Sequence, residues 1–215
     1  MEKRKKTRRS RKELPPPPLK EAAGLFALAL LALFLVRGRR PPAVPAPESY
    51  PSWIREALLP LNPWSRPGTG MEAVRGIVVH YVGNPGTTAQ QNRSYFAGLA
   101  RSHETYASSN FVIGLEGEVL LCVPPGEVAY CSNDRNGDTL SIEVCHPDDT
   151  GRYTQASYTS LVRLVNWLRE FYELEPEDVI RHYDVTGKAC PKYYVDHPEE
   201  WEAFRRELAE KEGEG

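Results

Sequence analysis

At 215 residues the chain has room for one ordinary domain plus extensions, and no internal repeat divides it further. Its formal net charge of −2 hides two unlike parts, because residues 1–40 carry twelve Lys and Arg against three Asp and Glu while residues 41–215 carry fifteen against twenty-six. The acidic body excludes nucleic acid and anionic lipid as its own partners, and four cysteines in a domain this long exclude a disulfide-dense scaffold.

The basic block from Lys3 to Lys12 runs into fifteen residues without a charge, Ala22 to Val36. A basic block next to an apolar run points to a membrane surface, and the run predicts a single transmembrane helix that Lys20 and Arg37 extend by snorkelling. A cleaved leader would end in small residues, whereas Arg37-Gly38-Arg39-Arg40-Pro41-Pro42 follows here, so an uncleaved anchor is expected. Nine basic residues before the run against three just after it place the N-terminus in the cytoplasm and the remainder outside. The expected division is a basic cytoplasmic tail over 1–21, the anchor over 22–36, a Pro-rich linker over 37–61 and a compact domain over 62–211.

Within the linker, Trp53 to Leu59 reads as a turn or two of helix before Pro60, and Asn62-Pro63-Trp64-Ser65-Arg66-Pro67-Gly68 as an irregular wrap. Gly76 to Tyr81 is a β-branched run, the pattern of a buried strand ending near His80. Thr87 or Thr88 caps a predicted helix over Ala89–Leu99 with Tyr95, Phe96 and Leu99 inward. Phe111–Leu115 and Val119–Val123 flank Glu116-Gly117 as a hairpin, and Thr139–Cys145 alternates as a further strand. The longest helix is predicted over Gln155–Tyr172, capped by Thr154, with Tyr158, Leu161, Val162, Val165, Leu168 and Tyr172 on one stripe and Trp167 off it. Pro176 stops it, Val179-Ile180 leads into a loop at His182, and Asp196-His197-Pro198 opens a last helix bearing Trp201, Phe204 and Leu208. Strands interleaved with helices imply an α/β fold, a central mixed β-sheet flanked by helices with a strand-end edge left open.

Chemistry concentrates in Arg181-His182-Tyr183-Asp184-Val185-Thr186-Gly187-Lys188-Ala189-Cys190-Pro191. Eight residues with an internal glycine are too far apart for one helix face, so His182 and Cys190 converge only if Thr186-Gly187 turns the chain back. With His80 delivered by its strand, two imidazoles and a thiolate leave one open position, the pattern of a catalytic zinc centre. The ordinary alternative is that His80 packs a strand end, His182 bonds locally and Cys190 is a buried thiol. Glu143 sits among apolar neighbours, where a carboxylate is costly unless it faces a polar site, which makes it the candidate base. Lys188, two residues before Cys190, is the candidate for neutralising an oxyanion. Cys122 and Cys131 either pair, if the domain is exported, or are buried free thiols. His103 borders the expected cleft, His146 is open to metal, substrate or solvent, and Asn133, Arg135 and Asn136 form a polar loop.

These motifs, Gly76-Ile77-Val78-Val79-His80-Tyr81, Ser141-Ile142-Glu143 and His182 through Pro191, resemble the zinc-dependent N-acetylmuramoyl-L-alanine amidases of type 2, a family related to phage lysozyme-type amidases and peptidoglycan recognition proteins. The resemblance covers about residues 62–208. It implies zinc held at His80, His182 and Cys190, with Glu143 and Lys188 as catalytic residues. It also implies hydrolysis of the amide between N-acetylmuramic acid and L-alanine in peptidoglycan. Phage relatives place a tyrosine before the hairpin strand, where this chain reads Ala107-Ser108-Ser109-Asn110, so Tyr106 is the reserve base. Tyr106, Asn110 and His146 are the candidate substrate contacts. A monomer on the extracytoplasmic face of the membrane is expected. The rival readings are a non-catalytic muropeptide-binding module of the same fold, and a thiol hydrolase in which Cys190 attacks and His182 is its base.

Overall fold

The computed structural model describes residues 44–210. The tail expected over 1–21 and the anchor expected over 22–36 lie outside the described residues. Among those described, no helix is long and apolar enough to cross a membrane.

Six strands, β1 (Ile54–Glu56), β2 (Ile77–Tyr81), β3 (Phe111–Ile113), β4 (Val119–Leu121), β5 (Leu140–Val144) and β6 (Val179–Arg181), form one sheet in the order β1-β4-β3-β5-β2-β6. Only the β3–β4 hairpin is antiparallel, so the sheet is mixed as expected. Period-2 alternation gives the sheet two apolar faces. Ile77 and Val79 of β2 with Leu140, Ile142 and Val144 of β5 enter the larger core, while Val112, Leu120, Cys122 and Cys145 enter a smaller one with Phe96.

The larger core is closed by α2 (Gln155–Tyr172), preceded in the chain by α1 (Ala89–Ser102) and followed by α5 (Pro198–Glu210). Helix α2 has the predicted bounds and cap: the Thr154 side chain accepts from Ser157 N at 3.0 Å. It buries Leu161, Val162, Leu164, Val165 and Leu168, each such side chain contributing about 1.5–3 kcal/mol by leaving water. Helix α1 runs three residues past its expected end, and Thr88 is the cap that forms. Tyr95, expected inward, is half exposed, because α1 turns only Ala89, Asn92, Phe96 and Leu99 to the sheet.

The linker expected over 37–61 is corrected in its later part. Ile54 is buried, β1 pairs in parallel with β4, and Ala57 N and Leu59 N donate to Leu121 O and Cys122 O at 2.9 and 2.8 Å. The open edge of β4 supplies these bonds, which outweigh the short helical turn expected at Trp53–Leu59. Trp53 and Tyr50 meet Trp167 edge-on at ring distances of 6.2 Å, so the tryptophan off the α2 stripe covers this edge.

Candidate metal centre and cavity

Three parallel strands end at one place. His80 lies opposite Glu143 in the β2–β5 register, and Val79 lies opposite Arg181, so His182 follows immediately beyond β6 beside His80. His80 and Glu143 occupy the face away from α2, since their neighbours Val79 and Ile142 fill the larger core. Side chains at the carboxyl ends of parallel strands face a crevice not filled by crossovers, and here it is an open cavity of about 350 Å³.

His182 then opens the short helix α3 (His182–Thr186), which stops at Gly187 in a left-handed conformation with φ 77°. There the chain reverses as expected, Tyr183 N donating to Cys190 O at 2.8 Å, before α4 (Lys192–Asp196) begins. The reversal brings Cys190 Sγ to 3.7 Å from His80 Nδ1. The rings of His80 and His182 meet edge-on at 4.7 Å, and the ligating atoms of His80, His182 and Cys190 all lie within 4.8 Å of one another.

The donor set fits a zinc ion. A nitrogen and a sulfur bonded tetrahedrally to one zinc stand roughly 3.6 Å apart, close to the His80–Cys190 separation. His182 Nδ1 is buried without a hydrogen-bond partner among the described residues, while its Nε2 lies 2.8 Å from Asn133 Oδ1. Burial holds the His80 imidazole well below its usual range, with His182 and Lys188 adding to the effect, and burial followed by Lys188 lowers His182. Both rings are therefore neutral and offer lone pairs. Burial, then Glu143, pushes the Cys190 thiol up to about 12, so it becomes a thiolate near neutrality only beside a cation, as a coordinating metal provides.

Glu143 lines the cavity, and its Oε2 is buried without a partner among the described residues while Cys131 Sγ contacts Oε1 at 3.5 Å. Burial pushes this carboxyl up to about 7 against the opposing pull of Cys131 and Lys188. Lys188 lines the same cavity. So does Tyr106, half exposed and stacked on Trp64 at 4.5 Å. Trp64 is seated by the wrap before it, where Asn62 Oδ1 accepts from Trp64 N and Arg66 grips both carboxylate oxygens of Glu127 at 2.8 Å.

Two expected substrate contacts are corrected. Asn110 is fully buried, its Oδ1 accepting from Ser141 N at 2.9 Å and its amide facing the carbonyls of Val123, Pro124 and Glu127 at 3.3–3.4 Å. It satisfies backbone groups where β3, β4 and β5 part, which leaves it nothing to present to a ligand. His146 is also buried, stacked on Tyr81 at 5.1 Å with Nδ1 at 2.7 Å from Asp148 O, and it does not line the cavity. His103 caps α1 in a left-handed conformation and stacks on Trp64. Cys122 and Cys131 are both free thiols.

Cys131 and Ser132, given no role from the sequence, stand at the site. Ser132 Oγ is 3.1 Å from His80 Nε2. Of the polar loop, Asn133 meets His182, Asn136 Oδ1 accepts from the backbone N–H of Cys131 and Ser132, and Arg135 pairs with Asp138 at 2.7 Å. A Ser or Asn in a polar loop carries no signal of its own; only the fold brings these against the imidazoles.

Residues 70–193 match the protein family described as N-acetylmuramoyl-L-alanine amidase. A "Probable N-acetylmuramoyl-L-alanine amidase" of Bacillus licheniformis is 32% identical over 160 residues, 69% of this chain and 45% of its own. The N-acetylmuramoyl-L-alanine amidase BlyA of Bacillus subtilis (strain 168) is 29% identical over 181 residues, 74% of this chain and 48% of its own. The chain thus spans about half the length of the curated relatives it matches. Among solved structures, a mutant endolysin from Bacillus subtilis superposes with a TM-score of 0.61 at 22% identity, covering 72% of this chain and 97% of that one. The structure of PlyL gives 0.60 at 22% identity, with 72% and 96% covered. At such identity the likeness is one of fold.

Proposed function

Since the chain belongs to the N-acetylmuramoyl-L-alanine amidase family, we propose that it hydrolyses the amide between N-acetylmuramic acid and L-alanine of peptidoglycan, with zinc as cofactor. The observation that carries the reading is one cavity in which neutral His80 and His182, the Cys190 sulfur and the unpartnered Glu143 Oε2 meet. A zinc ion held by His80 Nδ1, His182 Nδ1 and Cys190 Sγ would act as a Lewis acid, polarising the substrate carbonyl and making nearby water more acidic.

Glu143 supplies the proton traffic. With its carboxyl pushed up to about 7, it is ionised in a useful fraction near neutrality and still holds a transferable proton. Oε2 takes a proton from the attacking water as oxygen bonds to the carbonyl carbon. The same oxygen then returns it to the alanine nitrogen as the carbon–nitrogen bond breaks, releasing a lactyl carboxylate and a free amine. Lys188, facing the cavity, offsets the negative charge that gathers on the carbonyl oxygen. Tyr106, backed by its stacking on Trp64, offers an aromatic face on the cavity for substrate to lie against.

Purified protein incubated with cell-wall sacculi is expected to release new L-alanine amino termini, to lose this activity in a zinc chelator and to regain it with added zinc. Release that persists in chelator would point to a thiol nucleophile, and zinc binding without release would leave a muropeptide-binding module. The imidazole that contacts the Cys190 sulfur is that of His80, at 3.7 Å, which speaks against His182 as the base of a thiol nucleophile.

The basic block, the apolar run over 22–36 and the charge imbalance around it support a single-pass anchor with the domain on the extracytoplasmic side. Protease added to intact spheroplasts should then remove the domain, while membrane pellets keep the N-terminal segment. Recovery of the whole chain in a protected soluble fraction would reject the anchor.

A further inference from the structure

Both imidazoles of the centre are met at Nε2 by consecutive residues of one turn. Ser132 Oγ lies 3.1 Å from His80 Nε2, and Asn133 Oδ1 lies 2.8 Å from His182 Nε2. The residue before them, Cys131, contacts Glu143 Oε1 through its thiol at 3.5 Å. The turn is itself tied down. Asn136 Oδ1 accepts from Cys131 N at 3.0 Å and from Ser132 N at 2.6 Å, and a single 3-10 turn, Asn133–Arg135, closes with Asn136 N donating to Asn133 O at 3.1 Å. Asn133 adopts a left-handed backbone with φ 52°, a conformation that asparagine tolerates and most side chains do not.

An amide oxygen only accepts. Facing His182 Nε2, Asn133 Oδ1 requires the proton to sit on that nitrogen, which leaves Nδ1 as the bare lone pair, and Nδ1 is the buried atom without a partner among the described residues. Ser132 can accept from His80 Nε2 in the same way, leaving His80 Nδ1, the atom on the Cys190 side, free to coordinate. We propose that the turn Cys131–Asn136 is the positioning element of the metal centre, Ser132 and Asn133 fixing His80 and His182 as Nε2–H tautomers so that both Nδ1 atoms are presented to the ion. The inference rests on the metal-centre reading above and adds to it where the selection of nitrogen comes from. Ser132 and Asn133 are positioning residues: they act through the ligands and need not touch substrate.

The tautomers are read first without metal. Nitrogen NMR of the zinc-free wild type, taken where both rings are neutral, should show Nε2 protonated and Nδ1 bare in His80 and His182. Asn133→Gly keeps the left-handed backbone without strain and removes the side-chain acceptor, and it should weaken zinc binding about 10–100-fold while His182 loses its single tautomer. Asn133→Asp, which restores an acceptor oxygen, should recover the affinity. Ser132→Ala and Ser132→Thr make the corresponding pair for His80. Protonated Nδ1 in the wild-type rings, or unchanged zinc affinity in Asn133→Gly and Ser132→Ala, overturns the proposal. The zinc titration of the wild type separates the two levels, because a protein with the stated tautomers that takes up no zinc defeats the metal reading itself.

Discussion

In Glu143→Gln, amide hydrolysis falls about 10²- to 10⁴-fold while zinc content stays at the wild-type level, the loss typical of removing a general base that also serves as acid. Glutamine preserves the shape of the side chain, but its amide neither takes a proton from water nor returns one to the leaving nitrogen. Folding should not suffer, because the substitution takes a carboxyl that burial pushes up to about 7 and replaces it with a group that has no charge to desolvate. The measurement is kcat on a soluble muropeptide beside metal analysis and a thermal melt. A loss smaller than about tenfold would move the base elsewhere, with Tyr106, half exposed on the same cavity, as the next candidate.

Cys190→Ser abolishes both zinc binding and hydrolysis. A buried serine hydroxyl does not become an alkoxide at neutral pH, so the centre loses its one anionic ligand and keeps two neutral imidazoles. The expected fall in zinc affinity exceeds about 100-fold, beyond the 10–100-fold typical of losing an outer partner of a ligand. Metal content is the deciding readout, since a nucleophilic thiol would also lose activity on substitution but would leave bound zinc unchanged. A variant that keeps a full complement of zinc and loses only turnover would convert the centre into a thiol hydrolase.

Where one periodicity dominated, local order was legible from the chain alone. Helix α2 has its predicted bounds and its Thr154 cap, and the hairpin around Glu116-Gly117 forms as read, because a long apolar stripe and a glycine turn each specify their own geometry. Legibility failed where a distant partner decided the outcome. Trp53 to Leu59 looks helical in isolation, yet β4, more than sixty residues later, presents an unpaired edge that recruits Ile54–Glu56 as a strand. Asn110 and His146 are polar residues beside the candidate site, and a sequence does not distinguish a side chain that satisfies the backbone from one that faces a ligand. For Asn110 its hydrogen bonds to Ser141 and to three loop carbonyls do, and for His146 it is burial against Tyr81 away from the cavity lining.

The candidate set, His80, His182 and Cys190 with Glu143 and Lys188, could be named in one dimension because chemically unusual residues stood at turns and strand ends and resembled a family pattern, and the fold brings the first three within 4.8 Å of one another. What only the tertiary structure decided is the orientation of that set. Parallel pairing of β2 with β5 and β6 places His80 beside Glu143 and His182, and a turn from elsewhere in the chain sets Ser132 and Asn133 against the imidazoles. A chain specifies which atoms are able to bind a metal, but which nitrogen carries the lone pair depends on a hydrogen bond about fifty residues away, and that bond exists only once the sheet has assembled.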